Sequence, residues 1–149
     1  MRAQVVRLGD VEKMKTEIWD SFAEQQHIFL ATVEGDQPRV RPVTLIYLSN
    51  RMYVATGSND AKTMQIKENP RTEFCLMIEK KGHNGTIRAE CQANIVQDMK
   101  VKTDIYTKIP FIREFFKTPE DPGYTLIELE PTRFEYMKPG TVESAKIKP

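Results

Sequence analysis

Cysteine is scarce in this chain: among 149 residues only Cys75 and Cys91 carry a thiol, and no Cys-x-x-Cys or Cys/His spacing surrounds them. Too few ligands are present for a structural zinc site, and two cysteines make no disulfide framework. Each lies in an apolar, strand-like segment, so both are expected to be buried thiols acting as small hydrophobes. Histidine is equally sparse, and His27 and His83 have no third ligand to complete a metal site. No apolar run approaches the roughly 18 residues of a membrane span, and the opening MRAQVVRLGDVEK lacks the apolar stretch of a secretory signal. The chain therefore reads as soluble and cytoplasmic, with no membrane partner. Charge of one sign is also missing: 22 Lys and Arg nearly balance 21 Asp and Glu, which gives no field to attract nucleic acid. There is no Walker or GxGxxG spacing, no internal repeat and no low-complexity segment.

What is present fits one domain over residues 1–149, a length that buries about 68–70% of the surface its unfolded chain exposes. Val11, Met14, Ile18 and Phe22 recur at spacings of three and four, so residues 10–26 are expected as an amphipathic helix capped by Asp10. Segments 27–34, 39–49 and 52–57 read as a three-strand meander, with turns at 35–38 and at Asn50-Arg51. Asn59 or Asp60 can cap a short helix over 61–69, which Pro70 ends. Strands over 72–80 and 86–96 follow, joined by KGHNG, whose Asn-Gly pair signals a hairpin. Helices are expected at 99–109 and 110–117, then one or two strands over 124–138 interrupted by Pro131. Residues 1–9 and 140–149 read as loose termini. Strands arriving as hairpins exclude a parallel sheet, and a meander of this length usually closes into a barrel.

The chemistry concentrates in two segments. Arg39 and Arg41 share a face of their strand with Val43, and their guanidiniums repel unless an anion lies near. Arginine's planar fork suits phosphate, at about 1.5–3 kcal/mol per charge-assisted hydrogen bond. The bland alternative pairs both arginines with carboxylates such as Glu34 or Asp36. In ATGSNDAKT, hydroxyls of Thr56, Ser58 and Thr63, the open backbone of Gly57 and a helix start near Asp60 surround Lys62. A lysine in a first helical turn is mildly unfavourable unless an anion sits there; the alternative is an ordinary capped helix with a solvated lysine. Together the segments point to a phosphorylated cofactor. Phe111, Ile112, Phe115 and Phe116 cluster at helical spacing and suit a core or a dimer interface. No convincing acid/base pair is visible, so no catalytic side chain is assigned.

Taken in order, a leading helix, FLATVEGDQPRVRPV, YVATGSNDAKTMQI, TIRAECQANIV and YTLIELEPTRFEY resemble the pyridoxamine 5′-phosphate oxidase-like family of flavin-binding split barrels, over residues 11–138. The resemblance implies an α+β fold: a split antiparallel β-barrel of six or seven strands with peripheral helices, forming a homodimer with two FMN molecules at its interface. Carried over, Arg41 and Lys62 hold the FMN phosphate with Thr63 as helper, while Arg39 is a weaker candidate. Pro42, Val43 and Thr44 line the flavin ring, and Thr56, Gly57 and Ser58 meet the ring edge or ribityl chain. Arg88 and Glu90 close the pocket from the opposing subunit. The implied activity is an oxidoreductase passing electrons from a donor such as NAD(P)H to a small acceptor. A noncatalytic flavin-binding or sensing dimer, or a split barrel using F420 or haem, are the alternatives. The ending EYMKPGTVESAKIKP lacks the arginine and histidine with which true pyridoxamine phosphate oxidases grip their substrate, which argues against vitamin B6 oxidation. Cys91 and Gln92 stand where the family often has glycine and arginine, and Met137 where it has an aromatic. The chain is thus closest to the small members, which include general stress proteins and nitroimidazole-resistance reductases.

Overall fold

The computed structural model describes residues 8–149. Its elements run α1 (Leu8–Asp20), β1 (Gln25–Glu34), β2 (Gln37–Leu48), β3 (Arg51–Gly57), α2 (Ala61–Glu68), β4 (Arg71–Lys80), β5 (His83–Ile95), α3 (Met99–Lys108), α4 (Ile112–Phe115), β6 (Tyr124–Met137) and β7 (Ser144–Ile147). The strands form one antiparallel sheet in the order β3-β2-β1-β4-β5-β6-β7, and a further β3–β6 pairing curls it into a ring. The protein is therefore α+β, with seven strands and four helices among the described residues.

Period-2 alternation decides what faces the interior. Ile28, Leu30, Phe74, Leu76, Ile87, Ala89 and Cys91 project inward and join Ile18 of α1, Phe22 just beyond it and Ile66 of α2 in the main core. A second cluster forms on the outer side of β3 and β6. There Tyr53, Tyr124 and Leu126 pack against Ile105, Tyr106 and Ile109 from α3 and its C-cap, and against Ile112 of α4. This two-sided burial explains why neighbours such as Leu45 and Ile46, or Leu126 and Ile127, are all covered.

Several boundaries differ from the sequence expectation, each for a local reason. The first helix stops at Asp20, short of residue 26, because Gln26 turns back to the chain: its Oε1 accepts from Ala23 N at 2.7 Å, and its Nε2 donates to Ser21 O. The β4–β5 hairpin turns at Lys81-Gly82, both with positive φ, and leaves Asn84-Gly85 inside the strand. Only four residues of 110–117 are helical, held by Arg113 Nη1 donating to the carbonyls of Tyr106 and Thr107. The final strands are one: β6 runs through Pro131 because the pairing with β5 shifts there, leaving Thr132 without a partner across the ladder. Pro131 also falls where β3 has ended at Leu129 and β7 has not begun at Phe134, so its missing N–H deprives no neighbour. The bulge switches the inward face from Ile127 and Leu129 to Phe134 and Tyr136.

The C-terminal tail is not loose: Ser144–Ile147 pairs with β6, and Ile147 is buried against the core. At the other end, Leu8 and Gly9 open α1, while the remainder of the segment expected to be loose lies outside the described residues.

Candidate functional site

The arginine strand pairs with β1 in a register that sets Arg39 opposite Thr32, Arg41 opposite Leu30 and Val43 opposite Ile28. Opposed residues share a face, so Arg41 and Val43 point inward while Pro42 and Thr44 point outward. The two arginines then diverge in their partners. Arg39 pairs with Glu34 at 2.9 Å on the surface, the bland outcome. Arg41 is half-buried and meets only neutral acceptors: Leu30 O at 3.1 Å, Thr32 Oγ1 at 2.8 Å and Gln65 Oε1 at 2.9 Å. Burial first, then the nearby Arg39 charge, lowers its pKa from the ordinary arginine value, so its environment disfavours the cation. Glu34 lies one step away, bonded to Arg39 and to Gln65 Nε2, and those bonds hold its pKa below the usual carboxylate value.

Gln65 ties this strand to α2, and Lys62 lies three residues before it, about 4.5 Å along the helix axis. Arg41 is thus bonded to α2 about one turn beyond Lys62. Lys62 is not solvated: its side chain is 18% exposed, and Nζ donates to Asp60 Oδ2 at 3.1 Å. That oxygen also accepts from Thr56 Oγ1 at 2.8 Å and Gly57 N at 3.1 Å. Thr56 first and Lys62 second lower the Asp60 pKa. The remaining hydroxyls are spent on the turn itself. Thr63 Oγ1 donates to Gly57 O, and Ser58 Oγ donates to Pro122 O at 2.7 Å beside Thr125 Oγ1.

Eight of the ten expected residues thus fall on β2, on the end of β3 and on the start of α2, and Ser58 lies in the turn between the last two. Arg88 does not join them. It sits on the outer face of β5, ion-paired with Glu135, three strands from Arg41 and about 14 Å across the sheet. Register places it in an unbroken outer row: Pro42, Phe29, Cys75, Arg88, Glu135. Thr32 and Gln65 escaped the sequence reading, although a glutamine one turn after Lys62 was a usable signal. A groove of about 340 Å³ opens where β1 leaves β4, but its lining carries Arg71 with both Glu73 and Glu90, so one arginine against two carboxylates leaves it net negative and unsuited to a phosphate. No cluster of three or more metal-ligating side chains occurs among the described residues.

A ring of antiparallel strands, with a half-buried arginine beside a short helix, defines the class of protein. The pyridoxamine 5′-phosphate oxidase family profile matches residues 14–138, and the chain belongs to that family. It is 22% identical over 130 residues to general stress protein 26 of Bacillus subtilis (strain 168), covering 87% of this chain and 91% of that one. The general stress protein 26 structure from Bacillus anthracis str. Sterne superposes with a TM-score of 0.73 at 24% identity, over 91% of this chain and 98% of the other. A NimC/NimA family protein from Clostridium acetobutylicum matches at 0.70 and 22%, over 93% and 92%. More distant neighbours in fold are a FAD-binding protein from Mesorhizobium loti, at 0.68 and 12% over 87% and 93%, and a heme binding protein from Mycobacterium smegmatis, at 0.70 and 10% over 84% and 53%. At these identities the structural likeness establishes the fold.

Proposed function

We propose that the chain is a split-barrel FMN-binding flavoprotein that works as a homodimeric oxidoreductase. The observation that carries this reading is Arg41: a half-buried guanidinium with three hydrogen bonds, none of them to a carboxylate. Such a cation is stabilised by an anion of its own, and a phosphate supplies two negative charges and several acceptor oxygens. The neighbourhood fits a phosphorylated group, since Lys62 stands on the adjoining helix and the end of β3 carries donors.

In this reading Arg41 and Lys62 hold the phosphate, with Thr63 fixing the turn that presents Lys62. The β2 backbone at Pro42, Val43 and Thr44, with the outward Pro42 and Thr44 side chains, forms the wall for the flavin ring, and Thr56, Gly57 and Ser58 meet its edge or the ribityl chain. Bound there, FMN supplies the redox chemistry, taking two electrons from a donor such as NAD(P)H and passing them to a small acceptor. The protein's part is to bind, orient and exclude water. Exposed Phe29, Val40 and Met77 on the outer sheet face support a second copy docking there, and that docking carries Arg88 to the partner's site.

Titration of FMN and riboflavin tests the phosphate assignment. Arg41→Ala and Lys62→Ala are each expected to weaken FMN by about tenfold or more, at about 1.5–3 kcal/mol per lost charged hydrogen bond, and to leave riboflavin within about twofold. Equal losses for both ligands would contradict it.

A further inference from the structure

Three donors that the flavin reading offers to a ligand are already engaged by one oxygen of the chain itself. Thr56 Oγ1, Gly57 N and Lys62 Nζ all donate to Asp60 Oδ2, at 2.8, 3.1 and 3.1 Å. A hydroxyl, an amide and an ammonium converging on one anionic oxygen is the donor set of a phosphate oxygen. The carboxylate also lies on the Gly57 backbone: a Cβ built there would meet Asp60 Oδ1 at 2.9 Å and Cγ at 3.1 Å. What approaches the open backbone of Gly57 is Asp60.

We infer that Asp60 is an intramolecular competitor for the phosphate position, and that its carboxylate must swing away before Lys62 can engage a phosphorylated ligand. The inference rests on the flavin reading and concerns the regulation of that same site. Two observations support the swing. Asp60 is 52% exposed against 18% for Lys62, so the carboxylate moves into water while the ammonium stays near the barrel. Asp60 also makes no side-chain bond to the amides of α2, although it occupies the N-cap position. The helix therefore does not depend on the carboxylate staying where it is. In the closed arrangement Asp60 offsets the Lys62 charge; a ligand's dianion replaces a monoanion at Lys62 and leaves Asp60 solvated. Net discrimination between a phosphorylated ligand and its dephosphorylated form is thereby held below what Lys62 and Arg41 alone would give.

The opposite role, Asp60 fixing Lys62 in place for the ligand, predicts the opposite sign. Asp60→Asn retains an acceptor for the Thr56 hydroxyl and the Gly57 amide and removes only the charge; Asp60→Ala removes both. Fluorescence titration of the full-length protein is expected to show both variants binding FMN about tenfold more tightly than the wild type, with riboflavin changed by less than about twofold. Unchanged or weaker FMN binding, or an equal gain for riboflavin, overturns the inference. If the wild type and both variants bind neither flavin, the flavin reading has failed, and inorganic phosphate followed by phosphorus NMR becomes the deciding probe. Tighter phosphate binding by Asp60→Asn then retains the competitor role; equal binding, or none by either protein, overturns it.

Discussion

Thr32 shows how a single hydroxyl organises the site. It is 1% exposed, accepts from Arg41 Nη1 at 2.8 Å and donates to Gln65 Oε1 at 2.6 Å, so it joins β1 and β2 to α2. Thr32→Val keeps the shape and removes both bonds. Chemical denaturation is expected to show a loss of about 1–3 kcal/mol, the penalty for buried polar groups left without partners. An unchanged midpoint would mean that Arg41 and Gln65 find other partners freely. That Arg41 shares a face with Val43 was legible from strand alternation, but not that this face points inward. The partners of Arg41 were not legible either. Gln65 reaches Arg41 only after α2 docks, and the same docking turned Lys62 from a solvated side chain into a largely covered one. Glu34 was available in the sequence as a partner for both arginines, and it serves Arg39 alone.

At the scale of elements, turn chemistry carried most of the meander, yet it misplaced one turn. Asn84-Gly85 has the composition of a hairpin loop, but Lys81-Gly82 forms it, with φ of 53° and 78°. Gly85 answers to a different demand. A Cβ at that position would lie 2.4 Å from Met137 O and 2.7 Å from Pro139 N, so the residue is small to let the end of β6 pass. Neither obstacle is a movable side chain. Gly85→Ala is expected to cost about 2–4 kcal/mol, a backbone clash belonging among the larger single-residue effects, and to lower the thermal midpoint. A variant as stable as the wild type would show that β6 can shift past its neighbour without loss. The bulge at Thr132 and the strand β7 were also hidden from sequence. A bulge leaves no compositional mark beyond a proline, and Ser-Ala-Lys-Ile is a four-residue strand with only Ile147 buried. Its order comes from pairing with β6, a long-range contact that local pattern cannot report.

For the whole molecule, closure of the sheet by β3 and β6 leaves one broad outer face without cover, crossing β2, β1, β4, β5 and β6. Phe29 at 49%, Val40 at 68% and Met77 at 56% exposure lie on it beside the Arg88–Glu135 ion pair. Apolar side chains beside charge suit the docking of the proposed second copy. The aromatic cluster of the α4 region follows a different plan: Ile112 is core, Phe111 and Phe116 pack partly against it, and Phe115 alone projects outward. The helical spacing anticipated the first three. Which sheet face stays open was not legible, because it depends on where α3 and α4 settle. Arg88 is remote from Arg41 within one chain, so the proposed flavin site draws it from a second copy. Native mass spectrometry of the purified protein tests that claim and the ligand together. The account predicts an assembly of two 17.2 kDa chains carrying two FMN molecules. A folded monomer with bound flavin, or a dimer carrying haem or F420 in its place, would contradict it.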